Sequence, residues 1–284
     1  MSAQPQLRVG LIGAGRAGTV VARALERVGH ACVAVDAISD AAKARAAALL
    51  PSADVVDAVD VCAAADLIIV AVPDSAIDSV VQGLVNAGAI EARHIVMHLS
   101  GAHGTAVLDA AAARGALTIA VHPAMTLHGR PEDVQRLQHC PFAITAEGPA
   151  LTIAQALVIE LGGEPVVIEE RNRSLYHAAL AHASNHSVTL IAQCMELLRT
   201  AGIDDPGRYL QQLVSASVDG ALRDGDRALT GPIARGDFGT VRAHLAALGD
   251  ARMSTRQTYA ILARATADRQ QRMLDADTER ALDA

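Results

Sequence analysis

Apolar runs and helical spacings alternate along the first 168 residues. Residues 7–12 form a short apolar run that ends at Gly13-x-Gly15-x-x-Gly18 and opens directly into 19–25, spaced as a helix. A second run, 30–36, follows Gly29 and closes on Asp36. Residues 41–50 are Ala-rich and helical and stop at Pro51; 54–56 carries a short strand signal. The run 65–72 is almost continuously apolar, as in a parallel strand buried on both faces. It ends at Val72-Pro73-Asp74, ahead of a helix over 76–86. Strand signals recur at 94–101, 117–123, 140–145 and 164–168, with helices predicted over 104–114 and 151–161.

Beyond 168 the strand signals stop. Residues 171–200 read as one long helix without Pro or Gly. Further helices are predicted over 209–222, 238–248 and 254–274, with polar loops at 223–226 and 229–237 and a charged, frayed tail from Asp275. The pattern therefore predicts an α/β fold: a doubly wound, mostly parallel Rossmann sheet over 1–168, then an all-α domain over 169–284.

The glycine stretch gives this sheet a chemistry. Gly13 permits a sharp turn, Gly15 leaves the backbone open to a pyrophosphate, and Gly18 lets helix and strand pack closely. Arg16 and Ala17 begin a helix whose N-terminal N–H groups suit phosphate. Val72 and Pro73, at a neighbouring strand end, complete the expected dinucleotide site. Asp36 can accept hydrogen bonds from ribose hydroxyls, which favours NAD, or it can cap the helix that starts near Ser39. Ser39, Lys43 and Arg45 could instead serve a 2′-phosphate, so the expected cofactor is NAD(P)(H), with NAD and NADP both open.

Composition narrows the partners. The chain is 51% hydrophobic and carries 24 Lys+Arg against 31 Asp+Glu, a net charge of −7, with no Trp, two Phe and three Tyr. Scarce aromatics and no basic block argue against nucleic acid. No run is long and apolar enough for a membrane, and no apolar leader opens the chain. Four scattered Cys without a Cys-x-x-Cys fit a reduced, cytoplasmic protein. Lys43 is the only lysine.

Polar residues gather at predicted strand C-termini: Asp74, His98, Ser100, Gly101, His122 and Pro123. Ser100 can donate to a substrate carboxylate, and His122 can relay a proton. Each also has a plainer reading: His98 as a core histidine, Ser100 and His122 as turn formers. On the long helix His182, Asn185, His186 and Thr189 share one face. His182 and His186 have a metal-ligand spacing, but no carboxylate set completes it, and no metal is expected. Arg235 can grip a carboxylate or pair with Asp237, while Thr230 and Asp237 read as caps.

These segments carry a resemblance. Gly13-x-Gly15-x-x-Gly18, His98-Leu99-Ser100-Gly101, His122-Pro123-Ala124-Met125-Thr126, Tyr176-His177-Ala178-Ala179 with Ala183-Ser184-Asn185, and residues 229–237 resemble the family that joins a Rossmann-like domain to a DUF2520 domain, in its actinobacterial form. That family is similar to the 6-phosphogluconate, β-hydroxyacid, pyrroline-5-carboxylate and ketopantoate reductases. The resemblance implies an NAD(P)-dependent reductase of a small 2-oxo acid, ketopantoate-type, with its site in a cleft between the domains, and a homodimer. Ser100-Gly101 resembles a carboxylate-binding turn, and Asn185 a substrate-orienting Asn. Ala181 stands where the β-hydroxyacid group has a catalytic lysine. His122 or His182 would then supply the proton, and as a protonated group would lose activity as pH rises. Arg235 would hold the substrate. A non-catalytic dinucleotide sensor or scaffold is the alternative, and a relic of the fold that binds no cofactor is a third.

Overall fold

The computed structural model describes residues 6–283. Residues 1–5, read above as lacking an apolar leader, lie outside them, as does residue 284. The chain divides into two compact units between His182 and Ala183.

The first unit is built on one eight-stranded sheet. Its strands are β1 (Arg8–Ile12), β2 (Ala31–Asp36), β3 (Asp54–Val55), β4 (Leu67–Val70), β5 (Ile95–His98), β6 (Leu117–Pro123), β7 (Pro141–Thr145) and β8 (Glu164–Val167). They lie in the order β3-β2-β1-β4-β5-β6-β7-β8. Every neighbouring pair is parallel except β6 and β7. The helices between them are α1 (Arg16–Arg27), α2 (Asp40–Leu49), α3 (Ala58–Ala64), α4 (Ile77–Asn86), α5 (Asp109–Ala112), α6 (Pro131–Arg136) and α7 (Gly148–Glu160). Successive strand residues face opposite sides, and both sides are apolar. Leu67, Ile69 and Met97 join one core cluster, and Ile68, Val70 and Val96 join another. This is the doubly wound, mostly parallel sheet that the apolar runs predict.

Local chemistry sets the element ends. Ser39 caps α2, its hydroxyl accepting the Ala42 N–H at 3.2 Å. Asp57 caps α3, accepting the N–H groups of Val59 and Asp60. The sequence pattern carries no signal for α3 and α6, because helices of seven and six residues fall short of two full periods. The helix expected over 104–114 is a 3₁₀ turn, Thr105–Leu108, leading into the short α5.

The long helix α8 (Arg173–Thr200) starts in the first unit and ends in the second. The second unit adds α9 (Pro206–Asp224), α10 (Pro232–Arg235), α11 (Phe238–Ala247), α12 (Met253–Arg269) and α13 (Ala276–Asp283). Its core joins Ile233, Val241, Leu245, Ala260, Ala263, Ala267 and Leu282. Two expectations are corrected here. The polar loop placed at 223–226 is largely helical, since α9 runs to Asp224 and a 3₁₀ turn follows. The tail from Asp275 is α13 rather than a frayed end. Asp275 accepts the Thr278 N–H at 2.7 Å and pairs with Arg242, while Arg264 meets Glu279 and Asp283. Thr278 and Leu282 are buried beneath these pairs. Among the described residues no helix is long and apolar enough to cross a membrane.

Candidate functional site

The parallel strands place their C-terminal ends in one row. Asp36 pairs in register with Ile12, Ile12 with Val70, Val70 with His98, and His98 with Ala120. Every loop just beyond this row opens on the same sheet edge, where open α/β sheets bind ligands. The row therefore brings together Gly13 to Gly18, Val72-Pro73, Ser100-Gly101 and His122.

The three glycines of the first loop differ in what requires them. Gly13 has φ +86, and a Cβ there would meet the Ala71 carbonyl oxygen at 2.8 Å. At Gly18 a Cβ would meet the Ala71 Cβ at 2.6 Å and Leu11 Cδ1 at 2.9 Å, so packing forces this glycine. Gly15 is required by neither. Its φ is −72 and ψ 177, an ordinary extended conformation, and a Cβ would meet only the Ala71 oxygen at 3.4 Å. Gly15 is also the N-cap of α1, which has no side-chain cap and no acid in its first turn. The protein thus leaves space and unpaired N–H groups at one spot, as a dinucleotide pyrophosphate requires. The donor set fits the cofactor that the motif implies.

Around this loop, Arg16 is exposed and Ala17 half-buried at the start of α1. Val72 lies against Gly13, and Pro73 is exposed. The Asp36 backbone carbonyl accepts the Gly13 N–H at 3.1 Å. Since Ser39 caps α2, the Asp36 carboxyl is not spent on that helix. Burial, helped by Asp57, raises its pKa above the ordinary aspartate value. Arg45 donates from Nε to the Ala14 carbonyl at 3.1 Å, which ties α2 to the glycine loop.

The second half of the site is the turn after β5. His98 is buried, and its Nδ1 accepts the Ser100 N–H at 3.1 Å. Nε2 therefore carries the proton and donates to the Gly104 carbonyl at 2.7 Å. His98 is the satisfied core histidine of the plainer reading, and burial pushes its pKa down to about 4. The Ser100 hydroxyl oxygen accepts the N–H groups of Ala102 and His103 at 3.2 and 3.3 Å. Ser100 thus makes the turn and keeps its hydroxyl proton to donate.

His122 shares a 2.9 Å hydrogen bond between Nδ1 and the Tyr176 hydroxyl. Its ring also stands edge-on to His177, with centroids 6.1 Å apart. A Cβ on Gly101 would meet His177 Cδ2 at 2.8 Å and His122 Nε2 at 3.0 Å. Ser100-Gly101, His122, Tyr176 and His177 therefore form one cluster. Burial lowers the His122 pKa to about 4, with His177 and Arg173 adding to the effect. This corrects the expectation of a protonated His122: the ring is neutral near pH 7. Burial raises the Tyr176 pKa, so the phenol is neutral too.

Three residues of this cluster were missed as site residues from sequence: Arg173, Tyr176 and His177. Their spacing of i, i+3 and i+4 at the start of α8 puts them on one helix face, but that spacing by itself does not tell a buried face from a solvated one. Glu170, in the 3₁₀ turn before α8, clamps the loop after Ser100 by accepting the N–H groups of Gly104 and Thr105 at 3.0 and 2.7 Å.

The remaining candidates lie further along α8 and in the second unit. His182 lies on α8 in the first unit and is exposed. Asn185, His186 and Thr189 follow in the second unit, on a stretch exposed from 182 to 190 on all faces rather than on one polar face. Arg235, at the C-terminal end of α10, is exposed. It lowers the Asp237 pKa from a distance, behind the Thr240 hydrogen bonds, and no ion pair joins the two among the described residues. Asp237 caps α11 through the Thr240 N–H, whereas Gly231 rather than Thr230 precedes α10. The second unit also holds an apolar cavity of about 320 Å³ lined by Leu190, Leu197, Ile233, Leu248 and Leu262. Among the described residues no group of three or more His, Cys, Asp or Glu gathers to hold a metal.

Two family models match the chain. A Rossmann-like domain covers residues 2–123, and a domain of unknown function, DUF2520, covers residues 140–266. No curated protein matches. Among solved structures, the chain is similar to a candidate NADP oxidoreductase from Bacteroides fragilis. The TM-score is 0.79 at 23% identity, over 93% of this chain and 98% of that one. It is similar to the imine reductase from Myxococcus stipitatus in complex with NADP+, with a TM-score of 0.68 at 18% identity over 97% and 99% of the two chains. A variant of the Myxococcus stipitatus enzyme in complex with NAD+ gives 0.63 at 18% identity, over 98% and 100%. At such identities these are likenesses of fold.

Proposed function

Since the chain belongs to the family that joins a Rossmann-like domain to a DUF2520 domain, we propose that it is an NAD(P)-dependent oxidoreductase. It reduces a small carbonyl or imine compound bearing a carboxylate, with a ketopantoate-type 2-oxo acid as the first substrate to test. One observation carries the reading. Gly15, which neither backbone conformation nor packing requires, opens beside an uncapped helix on the sheet edge that also holds Ser100, Gly101 and His122. The solved structures of like fold that hold NADP+ or NAD+ support it.

In this reading Gly13, Gly15, Arg16, Ala17 and Gly18 hold the pyrophosphate, and Asp36 meets the adenosine ribose. Val72 and Pro73 flank the nicotinamide. The cofactor, when bound, supplies the hydride. The Ser100 hydroxyl and the Gly101 backbone receive the substrate carboxylate. Reduction also needs one proton, and the His122–Tyr176 pair is built to pass it. Both groups are neutral, so as Nε2 gives its proton to substrate Nδ1 can take one from the phenol, and the half-buried Tyr176 phenolate, favoured by Arg173, then regains its proton from water. This relay needs no lysine, which suits Ala181 at the position where the β-hydroxyacid group carries one. His182, Asn185 and Arg235 remain separate candidates, each tested by its own Ala variant.

We also propose a homodimer in the cytoplasm. The helix α9 buries only Pro206 along its length, and Leu213 and Leu222 are 64% and 83% exposed. A helix of this kind gains little stability alone and needs a partner face.

Calorimetry with NADH and NADPH tests binding, and nicotinamide absorbance with 2-oxo acids and cyclic imines tests turnover. Saturable binding with oxidation by one substrate class is the expected result. Binding without oxidation across the panel would favour a sensor or scaffold, a reading that draws on the missing lysine. No binding of either cofactor would point to a relic of the fold and refute both.

A further inference from the structure

Arg173 is 1% exposed, which makes it the largest of the fully buried side chains. Its guanidinium reaches β6, β7 and the turn after β5. Nε donates to the Thr145 hydroxyl at 2.7 Å, Nη2 to the carbonyls of Ala120 and Ala143 at 3.1 and 3.2 Å, and Nη1 to the Ser100 carbonyl at 3.4 Å. These acceptors are all neutral. Among the described residues no carboxylate lies within ion-pair distance of Arg173. Glu170, the acid acting on it most directly, has each oxygen engaged by a backbone N–H. His98 and His122 beside it are neutral rings. A guanidinium does not lose its proton, so the site keeps one buried positive charge that no side chain neutralises. Buried charges of this kind are ordinarily paired.

The same residue sets the Ser100-Gly101 peptide. All peptide bonds described are trans, so a peptide whose carbonyl faces Arg173 points its N–H the opposite way. That N–H belongs to Gly101, which is buried, and among the described residues it donates to no acceptor. An unmet donor and the Ser100 hydroxyl thus share one turn, with an unneutralised cation behind it.

We propose that Arg173 is the positioning residue of this turn, and that its charge makes the turn select an anionic carboxylate over a neutral group of the same shape. This rests on the reading that substrate binds at Ser100-Gly101. Arg173 itself touches no substrate; it acts through the Ser100 peptide and through its field.

The test compares oxamate, an anion that resembles a 2-oxo acid but is not reduced, with oxamide, its neutral counterpart. Both are titrated calorimetrically into the full-length protein, with and without nicotinamide cofactor. Wild type should bind oxamate at least tenfold more tightly than oxamide. Arg173→Gln, which keeps donors and removes charge, should bring the ratio close to one. Arg173→Lys, which keeps charge and loses the fork, should retain the preference even if it melts earlier. A buried charge is weakly screened, so the wild-type preference should persist at 1 M NaCl, a measurement that needs no variant to fold. Equal affinities in wild type, a ratio unchanged in Arg173→Gln, or a preference that vanishes in high salt would each overturn the proposal. The last would assign the selection to exposed arginines instead. If cofactor binds and the ratio is one, this inference alone fails. If no cofactor binds, the functional reading fails while the ratio still tests Arg173.

Discussion

Gly15 and Gly18 separate ligand binding from folding, because one methyl group placed at each has opposite consequences. In Gly18→Ala the new Cβ lies 2.6 Å from the Ala71 Cβ and 2.9 Å from Leu11 Cδ1. Leu11 is fully buried and belongs to the sheet's main core cluster, and Ala71 packs against that cluster, so neither can swing aside. Overpacking of this kind costs about 1–3 kcal/mol. For a domain of this size that is a fall in Tm of roughly 2–12 °C. In Gly15→Ala the new Cβ meets one oxygen at an ordinary 3.4 Å and the backbone needs no change. Losing a glycine cap costs a few tenths of a kcal/mol to about 1, and stiffening the unfolded chain returns about 0.4–1, so the net effect on stability is near zero. The methyl instead fills the space left for pyrophosphate. Affinity for NADH or NADPH should fall more than tenfold, about 1.4 kcal/mol or more. Melting curves and calorimetry on both variants make the assay. Gly15→Ala binding cofactor as wild type does would refute the placement of the pyrophosphate. Gly18→Ala melting with wild type would refute the packing argument.

Further outcomes are expected on the same grounds. Tyr176→Phe should lower kcat at least tenfold and leave cofactor affinity within twofold; unchanged kcat would remove the relay. Because the proposed relay uses His122 as a neutral group, kcat should not fall as pH rises from about 6 to 8, and a loss centred near 6.5 would show that an imidazolium is required. His98 and His122 both have pKa values of about 4 when folded, against 6.5 when unfolded. The unfolded chain alone takes up these protons, so stability is full above about pH 6.5 and falls towards pH 4, by up to about 1.4 kcal/mol per pH unit for each ring. Urea midpoints that stay constant between pH 7.5 and 5 would contradict this. A Leu213→Asp, Leu222→Asp double variant should sediment as a monomer while wild type sediments as a dimer; a monomeric wild type would leave α9 without its proposed partner.

The sheet was legible because parallel strands buried on both faces must be apolar nearly throughout, and runs such as 65–72 have little other use. The reversed direction of β7 was not legible, since strand composition is the same either way. Nor was α13, whose charged residues look solvated until Arg242 and Arg264 are seen to meet them. At the site, Gly13 to Gly18, Ser100 and His122 stood out because their residue types are unusual at strand ends. Arg173 did not, for a physical reason. An arginine at a helix start is ordinarily solvated, and nothing local distinguishes one whose guanidinium will donate to three carbonyls and a hydroxyl from β6, β7 and the turn after β5. Its partners, Ser100, Ala120, Ala143 and Thr145, are scattered along the chain and become neighbours only once β5, β6 and β7 lie side by side. The residues proposed to touch ligands can thus be picked out by local chemistry. The buried charge that decides which ligand is accepted depends on strand order, and strand order is a property of the whole sheet.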